Sequence, residues 1–254
     1  MTLPRNGTAE LDGEAVVAEF ATDPGGGVTV NSISGPNSST VRLTTSNSEI
    51  VGASFAAPGA SVNLSEPGGD DRVRTGAVVG FDTTDRNDGA VIVDPSRSRF
   101  EYQTFGVWLE DRRQATGTAG AGSYGVRTSN SSVPSSGSAT YNGVSTGVAR
   151  RADGDAYLTA SRVNVRTNFR TATITRSGTS ANNLRTGVEG TAPELDFSGT
   201  GNVSGNRFKA NTSGTGINGS ADGPFYGPSA EEVGGTFQAT GSGGVAYIGS
   251  FGAD

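Results

Sequence analysis

Gly223-Pro-Phe-Tyr-Gly-Pro-Ser-Ala-Glu-Glu-Val-Gly-Gly-Thr-Phe237, with the glycine-rich hairpin after it and the terminal Ser250-Phe-Gly-Ala-Asp254, is where the fold can be read. Pro224 and Pro228 stiffen the backbone around Phe225 and Tyr226, while Gly223 and Gly227 supply angles closed to other residues. Ser229-Ala-Glu-Glu predicts a single helical turn capped by Ser229, with Glu231 near its positive end. Gly234 and Gly235 end that turn, and Phe237 enters the last hairpin. Two neighbouring rings held in a rigid turn next to a final strand pair are expected to stopper one end of a β structure. Direct ligand contact is the other use of such an element.

Working outward, the rest of the 254 residues suits short strands and many turns. Only 33% of the chain is apolar and 40 residues are glycine, with Ser, Thr and Asn abundant. Helical bundles need a different composition, rich in Ala, Leu, Glu and Lys at a period near 3.6. Disorder has a similarly polar signature, but alternating apolar segments recur almost to the last residue. An all-β domain of this length often stays undivided.

The net charge is −6, and the basic residues are scattered and all arginine except Lys209. A polyanion needs a concentrated basic face, so nucleic acid is not an expected partner. The chain has no Cys and no His, and Met1 is its one methionine. Disulfides, thiol catalysis, zinc–thiolate sites and the usual histidine base are thereby excluded. Tyrosine is the one usual axial ligand left for haem, and no cofactor or metal is expected. A Ser–Lys hydrolase would have to use Lys209, which sits on an alternating strand, and the acids cluster in turns such as Asp82–Gly89 that turn propensity explains. That stretch misses the EF-hand spacing and its distal Glu. The chain is expected not to be an enzyme.

No apolar run approaches the roughly 20 residues of a transmembrane helix. Met1-Thr-Leu-Pro-Arg-Asn-Gly has neither the layout of a secretory leader nor a lipid-accepting Cys. An export signal, if used, is expected to lie outside this sequence.

Residues 6–94 show short strand patterns between Pro- and Gly-led turns, and Glu10–Phe20 favours strand because Val16, Ala18 and Phe20 share a face. Asp94-Pro-Ser-Arg97 marks a boundary, after which Phe100–Asp111 is the strongest β segment, with a bend expected at Gly106. Ala115–Gly122 is expected to be a loop of small residues. In Asp155–Phe169, Tyr157, Val163 and Val165 fall on one face, opposite Arg162, Asn164 and Arg166. Counting from Phe100, eight strands can be placed, enough for a small closed antiparallel barrel. The expected fold is all-β, with a β region over 1–96 and a barrel over 97–254.

Three landmarks occur in order: Tyr102-Gln-Thr-Phe-Gly-Val-Trp108, Pro134-Ser-Ser-Gly-Ser-Ala-Thr-Tyr-Asn-Gly143 and the closing Gly223–Phe237 element. In this the chain resembles the transferrin-binding protein B family over residues 100–254, whereas residues 1–95 match by position and composition alone. The resemblance implies a handle-like domain over 1–96 followed by an eight-stranded barrel. It further implies a non-catalytic protein at the bacterial surface or outside the cell. Such a protein captures a nutrient carrier or an iron- or haem-type ligand, often beside an outer-membrane transporter. One lobe's worth of chain speaks against transferrin itself. A structural or assembly role and a small-ligand carrier using the barrel mouth are the alternatives. Rigid junctions between such units suit binding, with exposed aromatics as anchors. Phe105, Trp108 and Tyr124 beside the first barrel loop, and Tyr141 after the Pro134 turn, are the expected contacts, with a core position the alternative for Trp108.

Overall fold

A computed structural model describes all 254 residues. The first sheet comprises β1 (Gly7–Thr22), β2 (Val28–Ser46), β3 (Glu49–Ala57), β4 (Ala60–Ser65), β5 (Asp71–Thr75), β6 (Val78–Asp82), β7 (Gly89–Val93), β8 (Gln103–Glu110) and β9 (Thr116–Gly125). These lie in the order β4-β3-β2-β1-β9-β8-β7-β6-β5, every neighbour antiparallel. The sheet curls around its own core, where Phe55 stacks on Trp108 at 4.8 Å between ring centroids.

The second sheet comprises β10 (Ala139–Arg150), β11 (Ala156–Thr167), β12 (Thr171–Asn183), β13 (Glu189–Thr191), β14 (Phe197–Ser204), β15 (Arg207–Ser213), β16 (Ile217–Tyr226), β17 (Glu232–Gly241) and β18 (Ala246–Ala253). Its order is β11-β10-β18-β17-β16-β15-β14-β12, and β12 pairs back onto β11. Eight strands therefore close into an antiparallel barrel, and β13 adds a short rung to β12 beyond the end of β14. Alternation explains the outer strands: along β11, Tyr157, Val163 and Val165 are buried in the lumen while Arg162 and Arg166 face out. An apolar lumen inside a polar exterior is the reverse of a lipid-facing barrel. No helix is long and apolar enough to cross a membrane.

The two sheets pack through their outer faces. Val16, Val107 and Ala121 from β1, β8 and β9 meet Val148 and Ile248 from β10 and β18. Strands along this seam are covered on both faces, so every residue of β18 is buried and alternation disappears. Small residues make the close approach possible: a side chain at Gly252 would enter the Phe105 ring of the other sheet.

Several expectations change accordingly. Phe100–Asp111 does not open the barrel, because β8 pairs with β7 and β9 of the first sheet. The sheets part between Gly125 and Ala139, not at 96/97. The eighth barrel strand is β16, which runs straight into Phe225 and Tyr226. The expected loop at Ala115–Gly122 is mostly strand β9, and the ladder passes Gly106 without a shift of register. Residues 227–230 form a turn with Ala230 at φ 65°, not a helical turn.

Candidate functional site

The closing element works at the seam as much as at the barrel. Phe225 points into the lumen, 6.2 Å from Tyr141 and 5.8 Å from Phe169 between ring centroids. Tyr226, its neighbour on the strand, points the opposite way and puts its hydroxyl 2.8 Å from that of Ser123 in β9. Burial pushes the Tyr226 phenol up to about 12. Gly227, at φ 88°, donates its N–H to Val126 O, and Thr128 Oγ1 donates back to Gly227 O at 2.6 Å. Glu231 accepts from Ser229 N, Pro228 is exposed, and Phe237 sits in the lumen against Phe197 and Tyr247. Gly223 and Gly235 face each other across the ladder, where neither has room for a side chain.

Two carboxylates lock the same seam. Glu14 of β1 accepts from Arg207 Nη1 at 2.8 Å and Nη2 at 2.6 Å, with Arg127 at 3.2 Å. Burial alone would raise the Glu14 pKa, but Arg207 and Arg127 outweigh it and hold the carboxyl below its ordinary value. Glu232 of β17 accepts from the Glu101 and Tyr102 N–H groups, and Gly234 fits against Gln103. Burial dominates there and raises the Glu232 pKa despite those hydrogen bonds.

All four aromatics expected as contacts lie inside. Trp108 and Tyr124 are fully buried in the first sheet's core, the Tyr124 hydroxyl 3.1 Å from that of Ser39. Phe105 is 1% exposed, edge-on to Phe100. Tyr141 is 4% exposed and donates to Ala230 O at 2.6 Å. Large rings opposite Gly120, Gly122 and Gly252 fill space that those glycines leave, so the flanking small residues read as a loop belong to an interior strand.

The lumen is filled as well. Arg176 is buried among Tyr247, Phe237 and Phe197, its guanidinium carbon 4.7, 5.1 and 5.8 Å from their ring centroids. It donates to Ser145 Oγ, Thr179 Oγ1 and Leu195 O, and Thr179 in turn donates to Asp196. Burial pulls the guanidinium pKa down, partly offset by Tyr247 and Asp196.

An apolar-floored cleft of about 380 Å³ opens where the two sheets meet. Ala18, Phe20, Ala119, Val148 and Ile248 form a buried apolar floor, and Val28, Val30, Ile33 and Leu184 form half-buried walls. Five arginines stand around it: Arg86, Arg112, Arg113, Arg150 and Arg185. Arg112 pairs with Asp82 and Arg185 with Asp155. Loops from both sheets are tied at this rim, with Val28 N donating to Gly154 O at 2.8 Å and Arg150 Nε to Val28 O at 2.9 Å. A second hollow of about 270 Å³ shares Leu109, Arg112 and Leu184 with it, continuing the groove towards Val91 and Val73. Sequence reasoning pointed to the junction but to none of these side chains, which come from segments far apart in the chain. The structure gathers no group of three or more acidic side chains suited to a metal ion, and the acids of Asp82–Gly89 bond to their own turn and to Arg112.

Residues 133–254 match the family model for the C-lobe and N-lobe beta barrels of Tf-binding protein B. No curated protein matches the sequence significantly. Among solved structures, the fold is similar to a point mutant of the vaccine antigen transferrin binding protein B (TbpB) from Haemophilus parasuis Hp5. That likeness has a TM-score of 0.53 at 15% identity and covers 95% of this chain and 45% of that one. The isotype 1 TbpB from serogroup B Neisseria meningitidis gives 0.50 at 16% identity, covering 95% and 43%. This chain thus spans less than half the length of either. At such identities the likeness is one of fold, and the family match extends over the barrel, residues 133–254, whose closed eight-stranded lumen is similar to the transferrin-binding protein B barrels.

Proposed function

We propose that the protein is a non-catalytic binding protein of the bacterial surface or extracellular space, which captures a nutrient carrier or another iron- or haem-type ligand. The observation that carries this reading is the family match of the barrel. The nine-stranded sheet, which includes β8 and β9, takes the place of the handle beside it. Capture uses the arginine-rimmed cleft between the sheets, the largest apolar concavity with convergent charged groups. The chemistry of the side chains agrees with binding rather than turnover: the chain has no His or Cys, and its buried hydroxyls are spent on structural hydrogen bonds. An outer-membrane transporter is the companion expected to receive the captured material.

Native mass spectrometry of protein purified from its source tests this. A stable complex with a second protein or an iron- or haem-type molecule, lost on Val30→Glu at the cleft wall, supports the reading. Homo-oligomers with no second component favour an assembly role and would sink it.

A further inference from the structure

We infer that the cleft between the sheets accepts a single-chain amphipathic carboxylate, its apolar chain lying on the floor and its head group at the arginine rim. This goes beyond the capture of a partner: it assigns the cleft a small ligand of its own, whether or not a second protein also docks there.

Polarity divides the cavity in two. Phe20, Val30, Ile33, Val148 and Ile248 supply its interior surface and carry no ionisable group. The charges stand at the rim and are mostly positive, although the chain as a whole carries −6. Asp155 is the one acid there and is engaged by Arg185. Arg86, Arg113 and Arg150 have no carboxylate within ion-pairing distance, unlike Arg112. Their uncompensated charge attracts an anion, and a guanidinium meets a carboxylate through two parallel hydrogen bonds. A ligand charged at one end and apolar along the rest matches this division.

The rim is also held in place before anything binds. Arg113 Nη1 donates to Asp85 O at 3.0 Å and Arg112 Nε to Arg86 O, which ties the hairpin after β8 to the loop after β6. A preformed rim loses little freedom on binding. A cleft of about 380 Å³ is within the size range of small-ligand sites, and an acid of about ten carbons serves as the probe.

Isothermal titration calorimetry of the intact protein with decanoate, below its micellar concentration, and with decan-1-ol tests the assignment. One decanoate per chain is expected, with decanol bound at least about tenfold more weakly. Arg86→Ala with Arg113→Ala is expected to weaken decanoate about tenfold and leave decanol unchanged. Arg86→Ala alone serves if the double variant does not fold, since the Arg86 side chain is exposed and is not engaged by an acid. Absence of saturable decanoate binding, equal affinity for the alcohol, or an unchanged affinity in the arginine variants would overturn the inference. Loss of decanoate binding alongside a partner complex that Val30→Glu still abolishes refutes this inference alone. Decanoate binding without any partner complex refutes the capture of a macromolecule and leaves the carboxylate site standing.

Discussion

The Tyr226 hydroxyl sits 2.8 Å from the Ser123 hydroxyl, so the residue beside the ring that stoppers the barrel is bonded to the central strand of the other sheet. Barrel closure and sheet docking are therefore one event at the level of two adjacent side chains. Tyr226→Phe leaves the buried Ser123 hydroxyl without that partner, an expected loss of about 1–3 kcal/mol in urea unfolding. Adding Ser123→Ala should recover part of it, because both polar groups are then gone. Strict additivity of the two losses would contradict the pairing.

Glu14 and Arg207 should give stability a rising pH dependence on the acid side. The Glu14 carboxyl is held below its ordinary pKa, so the unfolded chain binds the proton more readily. The clasp contributes fully above the unfolded pKa and is lost as pH falls through the lowered folded value. Arg207→Ala is expected to cost about 1–2 kcal/mol at pH 7, tempered by solvent reaching the guanidinium, and to flatten that acid-side slope, with Arg127 left as the one cation on Glu14. Denaturant midpoints measured from pH 7 to pH 3 would read both effects.

Glu232 predicts the opposite slope. Its folded pKa is raised, so the folded protein keeps the proton to higher pH than the unfolded chain. Its stabilising effect is full below the ordinary carboxylate range and fades as pH rises through the raised value. Glu232→Gln retains a carbonyl for the Glu101 and Tyr102 N–H groups without burying a charge. The variant is expected to melt at a higher temperature than the parent at pH 7.5 and at a similar one near pH 4. A lower melting temperature at pH 7.5 would show that the carboxylate is the form the seam requires.

Gly120→Ala places a methyl group in the Trp108 ring, on a strand covered from both sides. Overpacking at such a site costs about 1–3 kcal/mol. Trp108 is the chain's one tryptophan, so its emission reports the displacement directly. An alanine variant with unchanged emission and midpoint would mean the first sheet's core is packed more loosely around Trp108 than described.

The local pattern of residues carried the β class, the strand assignment of Glu10–Phe20, and the inward and outward faces of β11. In each case one side of the strand meets water, or the side chains on one face already imply it. Flanking Pro and Gly made the rigid turn around Phe225 and Tyr226 legible, but not that the two rings part, Phe225 into the lumen and Tyr226 to Ser123 of the other sheet. Membership of a sheet was not legible. Residues 103–125 carry no local pattern that assigns them to one sheet rather than the other, and what claims them is β1, which arrives from the N-terminus to pair with β9. The seam strands β9 and β18 hid their nature because burial on two faces erases the period-two signal and selects Gly and Ala instead. Trp108 and Tyr124 went inside for the complementary reason: the space beside Gly120 and Gly122 exists only once the strands are adjacent. The arginine-rimmed cleft came last in this order, because Phe20, Arg113, Arg150 and Ile248 become neighbours only when the outer faces of the curled first sheet and the closed barrel exclude water from each other.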